Sequence, residues 1–267
     1  LRASLGDATE AVARALRARA PLFLRVHEGR VDRDSACAAL QKEGIAAEPH
    51  PLAPTALRVT AGARRVTRSR AYLDGLVEIQ DAASQAVCAA LPVGPGTRVL
   101  DYCAGGGGKA LALAARGAAV VAHDADPGRM ADLPNRAARA GDAIACARTA
   151  DLAARGPFDL VLTDVPCSGS GAWRRQPEAK WRLTEADLDR LTALQARIVE
   201  EALAHLRPGG TLAYVTCSLL DAENDAQVTR LGARHPGRFV VEARQHLTPL
   251  DGGDGFFLAL MRECKPD

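Results

Sequence analysis

The 267-residue sequence lacks the cysteine pairs from which proteins build zinc sites. Its seven cysteines include no C-x-x-C pair, and no histidine follows them at zinc-finger spacing. An odd number of such cysteines also argues against a disulfide framework. Long apolar runs are missing too, so the sequence shows neither a membrane span nor a signal peptide. We therefore expect a metal-free protein of the reducing cytoplasm with no membrane partner.

Charge of one sign is also missing, because 34 basic and 32 acidic residues leave a net charge of only +2. A nucleic-acid partner must therefore be argued from local clusters of cations. Two such clusters comprise Arg64, Arg65 and Arg68 in the first and Arg174, Arg175 and Lys180 in the second. The second adjoins Trp173 and Trp181, whose rings suit base stacking. A solvated loop explains the first cluster equally well, and core packing explains Trp181 equally well.

Hydrophobic residues make up 48% of the chain, which is enough to form a full core. A short amphipathic helix is predicted at Ala8–Ala20, and the pattern of a small α/β unit follows it. In that unit "PLFLRVHEG" and "TALRVT" are predicted strands on either side of the helix "DRDSACAALQKEG". Asp32 or Asp34 lies near the N-cap of this helix and Gly44 lies at its end.

From Leu76 onward strands and helices alternate, which predicts a parallel sheet with helices on both faces. The strands are predicted at "TRVLDYC", "AAVVAHD", "AIACAR", "FDLVLTDV" and "GTLAYVTC". A long helix begins after Leu183, where Thr184 and Asp187 approximate a capping box. The stretches "GRFVVEA" and "GFFLALMRE" add a terminal strand pair. A methyltransferase sheet has such a pair, whereas a plain dinucleotide-binding domain does not need one.

A glycine-rich loop, "LDYCAGGGGKA", follows the first of these strands and opens a helix. Such a loop lets backbone N–H groups approach a ligand at the switch point of the sheet. Gly105, Gly107 and Ala110 satisfy G-x-G-x-x-A, and Asp124 lies near the offset of a ribose-binding acid, so NAD is a competing ligand. Asp101 favours a cationic amino-acid group instead, because a carboxylate at that strand end repels a pyrophosphate.

Two cysteines follow two strands of the predicted sheet. Cys167 comes after the fourth strand, in "TDVPCSGSGAW", and Cys217 ends the fifth. The carboxyl ends of neighbouring parallel strands share one crevice, so both thiols are expected to face the ligand at the glycine loop. A free cysteine is usually a small buried hydrophobe, and we expect this of the other five cysteines. For this pair, spacing alone leaves a structural and a functional interpretation open.

Three stretches carry a family resemblance, namely "DYCAGGGGKA", "DVPCSGSGAWRRQPEAKW" and "YVTCSLLDAENDAQV". Together with "IQDAASQAV" and "GFFLALMRE" they resemble the Sun family of RNA cytosine-5 methyltransferases, above all its bacterial members that methylate small-subunit ribosomal RNA. The resemblance implies an α/β fold, with a seven-stranded Rossmann-like methyltransferase sheet and a small N-terminal RNA-recognition-like α/β domain. The implied domains are a helical remnant at 1–20, the small domain at 21–75 and the methyltransferase domain at 76–267.

The resemblance also implies S-adenosylmethionine as the methyl donor. Asp124 would accept hydrogen bonds from the ribose, Asp151 would lie by the adenine, and Asp101 would hold the methionine end. The family has proline at the position of Gly106, which loosens the loop without removing side-chain chemistry. The implied cofactor residues are Asp101, Cys103, Ala104, Gly105, Gly106, Gly107, Gly108, Lys109, Asp124, Arg129, Asp151 and Asp164.

The implied catalytic residues are Cys217, Cys167, Asp164 and Lys109. Carbon-5 of cytosine is too poor a nucleophile to take a methyl group unaided, whereas a thiolate that adds at carbon-6 makes an enamine that can. By resemblance Cys217 is the nucleophile, and Cys167 helps to release it after methylation. Asp164 and Lys109 would lie in the base pocket, and the cytosine must be unstacked or single-stranded.

The RNA is expected to be ribosomal RNA, and the protein is expected to bind it as a monomer. Three other functions compete with methylation of this RNA. An NAD-dependent oxidoreductase would leave both strand-end cysteines without a role. A DNA cytosine-5 methyltransferase would use Cys167 as the attacking thiol and leave Cys217 spare. A non-catalytic RNA-binding assembly factor is disfavoured, because every expected catalytic side chain is present.

Overall fold

The computed structural model of the protein describes residues 1–264, and its elements run in chain order from α1 to β11. The strands are β1 (Leu22–Val26), β2 (Ala46–Pro49), β3 (Ala56–Ala61), β4 (Val77–Ile79), β5 (Arg98–Asp101), β6 (Ala119–His123), β7 (Ile144–Ala147), β8 (Phe158–Asp164), β9 (Leu206–Thr216), β10 (Phe239–Leu247) and β11 (Phe256–Glu263). The α-helices are α1 (Arg2–Leu5), α2 (Thr9–Ala15), α3 (Arg33–Lys42), α4 (Arg70–Leu73), α5 (Ala82–Ala90), α6 (Gly108–Ala114), α7 (Leu133–Ala140), α8 (Leu152–Arg155), α9 (Ala179–Arg182), α10 (Glu185–Leu203) and α11 (Asp225–Arg234).

The chain forms two compact units. One unit comprises residues 1–20, residues 99–103 and the chain from residue 150 onward. The other comprises residues 21–98 and 104–149. The predicted domain boundaries at 20 and 75 remain predictions.

A small antiparallel sheet with the strand order β2-β3-β1-β4 belongs to the second unit. Its core includes Leu24, Leu40 and Leu57, which are fully buried between the sheet and α3. The predicted cap of α3 is confirmed, because the Asp32 side chain accepts a hydrogen bond from Ser35 N. Strands β2 and β4 were not predicted from the sequence. Strand β2 has four residues, all of them alanine, glutamate or proline, which are poor strand formers, and β4 has only three residues.

The large sheet has seven strands in the order β10-β11-β9-β8-β5-β6-β7. Strand β8 is parallel to β5 and to β9, and β6 is parallel to β7. Strand β11 is antiparallel to both of its neighbours, β9 and β10. All five predicted alternating strands and the terminal strand pair are therefore present. The predicted fold class, a seven-stranded α/β methyltransferase sheet with a small additional sheet, is confirmed.

Helix α10 begins at the predicted position and has the predicted capping box. The Thr184 hydroxyl accepts from Asp187 N at 3.1 Å, and the Asp187 carboxylate accepts from Thr184 N at 3.3 Å. The helix packs beside β8 and β9, and the side chain of Gln195 on its buried face is fully enclosed. This packing places an amide group behind the loops that follow these two strands.

The expectation that the five remaining cysteines are buried is wrong for two of them. Cys88 is buried, and Cys37 and Cys103 are partly buried, but Cys146 and Cys264 are exposed. Cys146 lies on β7, which is an edge strand of the large sheet and therefore has one uncovered side. Within residues 1–264 no helix is long and apolar enough to cross a membrane, and no cluster of three or more His, Cys, Asp or Glu side chains could hold a metal ion.

Candidate active site

The glycine loop bends sharply before α6. Gly105 and Gly107 have φ angles of 52° and 77°, in the left-handed region that glycine adopts without strain. A Cβ atom at Gly107 would lie 2.3 Å from Leu133 Cδ1, so α7 also leaves no room for a side chain there. Ala104 N donates to His123 O over 2.8 Å and ties the loop to the end of β6. The local sequence thus fixes a tight turn directly beside the β6 end.

Asp124 follows β6 and holds the glycine loop. Its carboxylate is 5% exposed and accepts from Gly105 N at 2.9 Å and from Asp126 N at 3.0 Å. The exposed Arg129 guanidinium lies 3.4 Å from Asp124 Oδ2. A carboxylate has about four acceptor positions, so a bound hydroxyl could join these donors or replace Arg129. The structure therefore brings together three groups predicted for the cofactor: the glycine loop, Asp124 and Arg129.

Two arginines, the buried Arg25 and the partly buried Arg136, hold carbonyl groups of the same loop. Arg25 Nη1 on β1 donates to Gly108 O and to Gln80 Oε1, both over 2.7 Å. Burial lowers the pKa of Arg25 because the charged guanidinium is desolvated. Arg136 donates to Gly106 O, so the backbone at the position where the family has proline is anchored by a side chain. These partners are distant in sequence, and no motif could have indicated them.

The other residues predicted for the cofactor occupy loops and element ends. Asp101 ends β5 and is buried, and Cys103 follows it, partly buried. Lys109 lies in the first turn of α6, with its side chain buried. Asp151 ends the 3₁₀ helix at Thr149–Asp151 and is partly buried. Their roles toward a cofactor remain predictions.

The two strand-end cysteines meet. Cys167 and Cys217 place their sulfur atoms 3.4 Å apart, within hydrogen-bonding distance for thiols. Gly171 N donates to Cys217 O over 3.0 Å, which joins the backbones of the two loops. The pKa of Cys167 is well above its ordinary value, because of its hydrogen bond with Cys217 and because its sulfur is buried. The raised pKa favours the protonated thiol at Cys167, and Asp164 lies three residues before it at the end of β8.

A buried carboxylate that the sequence analysis missed lies behind this pair. Glu223 is fully buried at the end of the 3₁₀ helix Asp221–Glu223 and accepts hydrogen bonds from both cysteine loops. A signal for it does exist in the sequence. Each cysteine is followed directly by a serine, Ser168 and Ser218, and both hydroxyls donate to Glu223.

The predicted RNA-binding cations differ in their exposure to solvent. Arg174 is 5% exposed, and its Nε lies 2.6 Å from Asp254 Oδ1, while Arg175 pairs with the other oxygen of the same carboxylate at 2.5 Å. Lys180 is exposed, and its ammonium lies 4.8 Å from the ring centre of Trp181. Trp181 is 81% exposed, so the alternative that it packs in the core is wrong. The exposed cations of the first cluster lie on the 3₁₀ helix at Ala63–Arg68 and are Arg64, Arg65 and Arg68.

A seven-stranded sheet with a terminal antiparallel pair, a glycine loop after β5 and a buried aspartate after β6 give the chain the Rossmann-like methyltransferase fold. Residues 88–262 match the family model described as 16S rRNA methyltransferase RsmB/F, and residues 1–67 match the RsmF/B-like ferredoxin-like domain. The chain therefore belongs to the RsmB/F family of 16S rRNA methyltransferases, and the resemblance to the Sun family is confirmed.

Curated relatives named "Ribosomal RNA small subunit methyltransferase B" agree with this assignment. The protein of Xanthomonas campestris is 38% identical over 98% of this chain and 64% of its own length. That of Serratia proteamaculans is 37% identical over 90% of this chain and 59% of its own length. The chain thus spans about three-fifths of these relatives. Among solved structures, a methyltransferase homologue from Pyrococcus horikoshii is 26% identical, with a TM-score of 0.81 over 97% of this chain and 92% of its own.

Proposed function

We propose that the protein transfers a methyl group from S-adenosylmethionine to carbon-5 of a cytosine in RNA, and that this RNA is small-subunit ribosomal RNA. The observation that carries the proposal is the pair of thiols from Cys167 and Cys217, whose sulfur atoms lie 3.4 Å apart after adjacent parallel strands. Methylation at carbon-5 of cytosine is made possible by a thiolate that adds at carbon-6, whereas a ring nitrogen can use its own lone pair. The names of the curated relatives support the choice of RNA.

The residues around the glycine loop fit S-adenosylmethionine. Asp124 is a buried carboxylate beside backbone held by glycine, and it retains acceptor capacity for a ribose hydroxyl. S-adenosylmethionine supplies an electrophilic methyl group on a sulfonium. Asp124 and the loop amides would bind and orient it, and Arg129 lies beside the Asp124 carboxylate. Arg25 and Arg136 hold two carbonyl groups of the loop in place. Asp101, Cys103, Ala104, Asp151 and Lys109 are proposed to complete the binding site.

Cys217 is proposed to attack the cytosine. Its thiolate forms a bond to carbon-6, and the ring electrons move toward carbon-5, which then takes the methyl group. A hydrogen bond from the Cys167 thiol lowers the energy of a thiolate at Cys217, which fits the protonated state of Cys167. The raised pKa of Cys167 makes it a poor attacker at neutral pH.

Release of the product reverses the first bond. Carbon-5 gives its proton to solvent, the electron pair of that bond re-forms the carbon-5 to carbon-6 double bond, and Cys217 leaves as a thiolate. Cys167, 3.4 Å away, donates a hydrogen bond to the departing sulfur and stabilises it. Asp164 and Lys109 are proposed to bind the edge of the cytosine, which must be turned out of any base stack.

Lys180→Ala is expected to weaken RNA binding and to lower the log–log salt slope by about 0.7, the value for one phosphate contact on a single strand. Lys180 is exposed beside the exposed Trp181 ring, so a phosphate and a stacked base can reach both. Filter binding across a salt series measures the slope, with the exposed Lys42→Ala on α3 as the matched control. An unchanged slope for Lys180→Ala would contradict a phosphate contact at this residue.

Bisulfite sequencing of ribosomal RNA tests the proposed function in cells. RNA from cells that carry the gene should contain a cytosine that resists conversion, and RNA from cells without the gene should lose that signal. Family membership already favours methyl transfer over an NAD-dependent oxidoreductase. A non-catalytic assembly factor predicts identical conversion patterns in the two samples.

A further inference from the structure

The carboxylate of Glu223 links the two cysteine loops. Its exposure is 0%, and its two oxygens accept four hydrogen bonds. Oε1 accepts from Ser168 N at 2.8 Å and from Gln195 Nε2 at 2.9 Å. Oε2 accepts from Ser168 Oγ at 2.6 Å and from Ser218 Oγ at 2.5 Å. Bonds this short are typical of a charged acceptor.

Both serines are direct neighbours of a cysteine, so Glu223 controls the position of each loop one residue from its thiol. Ser168 follows Cys167, and Ser218 follows Cys217. The two serine hydroxyls lie 3.3 Å apart, close to the 3.4 Å that separates the two sulfur atoms. Glu223 thus binds two serine hydroxyls whose separation is nearly the same as that of the two sulfur atoms.

Hydrogen bonds from Tyr214 and Gln195 hold Glu223 in place. Tyr214 Oη donates to the main-chain carbonyl of Glu223 over 2.7 Å. Gln195 on α10 donates to Pro166 O at 3.0 Å as well as to Glu223, so one amide fixes both the carboxylate and the residue before Cys167. A carboxylate anchored at its backbone and at its oxygens cannot follow the movement of one loop without moving the other.

We propose that Glu223 is the positioning residue of the cysteine pair: through Ser168 and Ser218 it sets the distance between the Cys167 and Cys217 sulfur atoms. Its consequence for catalysis rests on the proposed function. Glu223 touches neither the methyl donor nor the base in this scheme and acts through the two thiols. Its negative charge near Cys167 also favours the protonated form of that thiol.

The relative placement of the two thiols can be tested by a measurement that does not depend on enzymatic activity. In a buffer of reduced and oxidised glutathione, two protein thiols and one oxidised glutathione give one protein disulfide and two reduced glutathiones. The equilibrium constant reports the effective concentration of Cys167 relative to Cys217. Peptide mapping by mass spectrometry separates this disulfide from any that involves the exposed Cys146 or Cys264.

Glu223→Gln should lower this effective concentration by about tenfold or more, because the amide replaces a charged acceptor of short hydrogen bonds with a weaker one. Ser168→Ala and Ser218→Ala each remove one hydroxyl while Glu223 keeps its charge, and each should lower it by about threefold to tenfold. Ser84→Ala, at a buried serine of α5 whose hydroxyl accepts a hydrogen bond from Gln80, is the matched control and should leave it unchanged.

A wild-type effective concentration in folded Glu223→Gln and in both serine variants would overturn the proposal. If Glu223→Gln does not fold, the serine variants decide the question alone. With RNA as substrate, Glu223→Gln should reduce kcat and leave the KM for RNA unchanged, because the base-binding groups are intact. If the wild-type protein methylates no RNA, the proposed function fails, whereas the glutathione measurement still tests the role of Glu223.

Discussion

Cys217→Ala is expected to stop methyl transfer and to give no covalent complex with RNA. Removing the nucleophile of a covalent mechanism lowers turnover by roughly 10⁴-fold or more. Without the sulfur bond to carbon-6, carbon-5 has too little electron density to take the methyl group. Binding of S-adenosylmethionine should be unchanged, because the cofactor is proposed to bind the glycine loop and Asp124 and not this cysteine.

Cys167→Ala is also expected to stop turnover but, unlike Cys217→Ala, to form a covalent adduct with RNA. Attack by Cys217 remains possible, but its departure loses the hydrogen bond from the thiol 3.4 Å away. A methylated protein–RNA adduct should therefore accumulate when S-adenosylmethionine is present and should survive a denaturing gel. Turnover stops in both variants, and the adduct alone distinguishes them.

A denaturing gel of each variant with substrate RNA makes this comparison, and Cys146→Ala, at an exposed cysteine of β7, is the matched control. The control should turn over like the wild-type protein. A DNA-type mechanism assigns the attack to Cys167 and predicts the reverse pattern. An adduct with Cys217→Ala and none with Cys167→Ala would therefore contradict the assignment of the nucleophile.

Asp124→Asn is expected to weaken S-adenosylmethionine binding by about 30- to 150-fold, which corresponds to about 2–3 kcal/mol from lost charge-assisted hydrogen bonds. The amide keeps the shape of the side chain but replaces one acceptor oxygen with a donor. That donor would face Gly105 N or Asp126 N, so the glycine loop also loses part of its support. Arg129, 3.4 Å from the Asp124 carboxylate, would lose its ion pair.

Calorimetric titration with S-adenosylmethionine measures this effect, and Asp132→Asn, at an exposed aspartate before α7, is the matched control. The control should bind like the wild-type protein. Equal affinity in Asp124→Asn would remove Asp124 from the binding site. Tight binding of NAD by the wild-type protein, with no binding of S-adenosylmethionine, would overturn the cofactor assignment as a whole.

Features that depend on neighbouring residues could be predicted from the sequence. The capping box of Thr184 and Asp187 and the N-cap at Asp32 are local hydrogen bonds, and the structure has them as expected. The meeting of Cys167 and Cys217 followed from one topological rule, since residues after adjacent parallel strands lie at the same sheet edge.

Features that depend on residues far apart in the chain could not be predicted. Asp254 binds Arg174 and Arg175 from about 80 positions away, and no local pattern indicated this carboxylate. The predicted contact of these two arginines with RNA remains a prediction. Glu223 approaches Ser168 across 55 positions. Such pairs form only once the sheet has brought their loops together. The serine that follows each cysteine was visible in the sequence, but the carboxylate that binds both serines was not.

The identity of the atom that receives the methyl group tests the covalent cysteine mechanism most directly. The full chain should be incubated with small-subunit ribosomal RNA and S-adenosylmethionine labelled in its methyl group, and the RNA should then be digested to nucleosides for mass spectrometry. We predict label in 5-methylcytidine with the wild-type protein and none with Cys217→Ala. Label in a cytidine methylated at nitrogen, or equal labelling by the Cys217→Ala variant, would contradict a covalent cysteine mechanism.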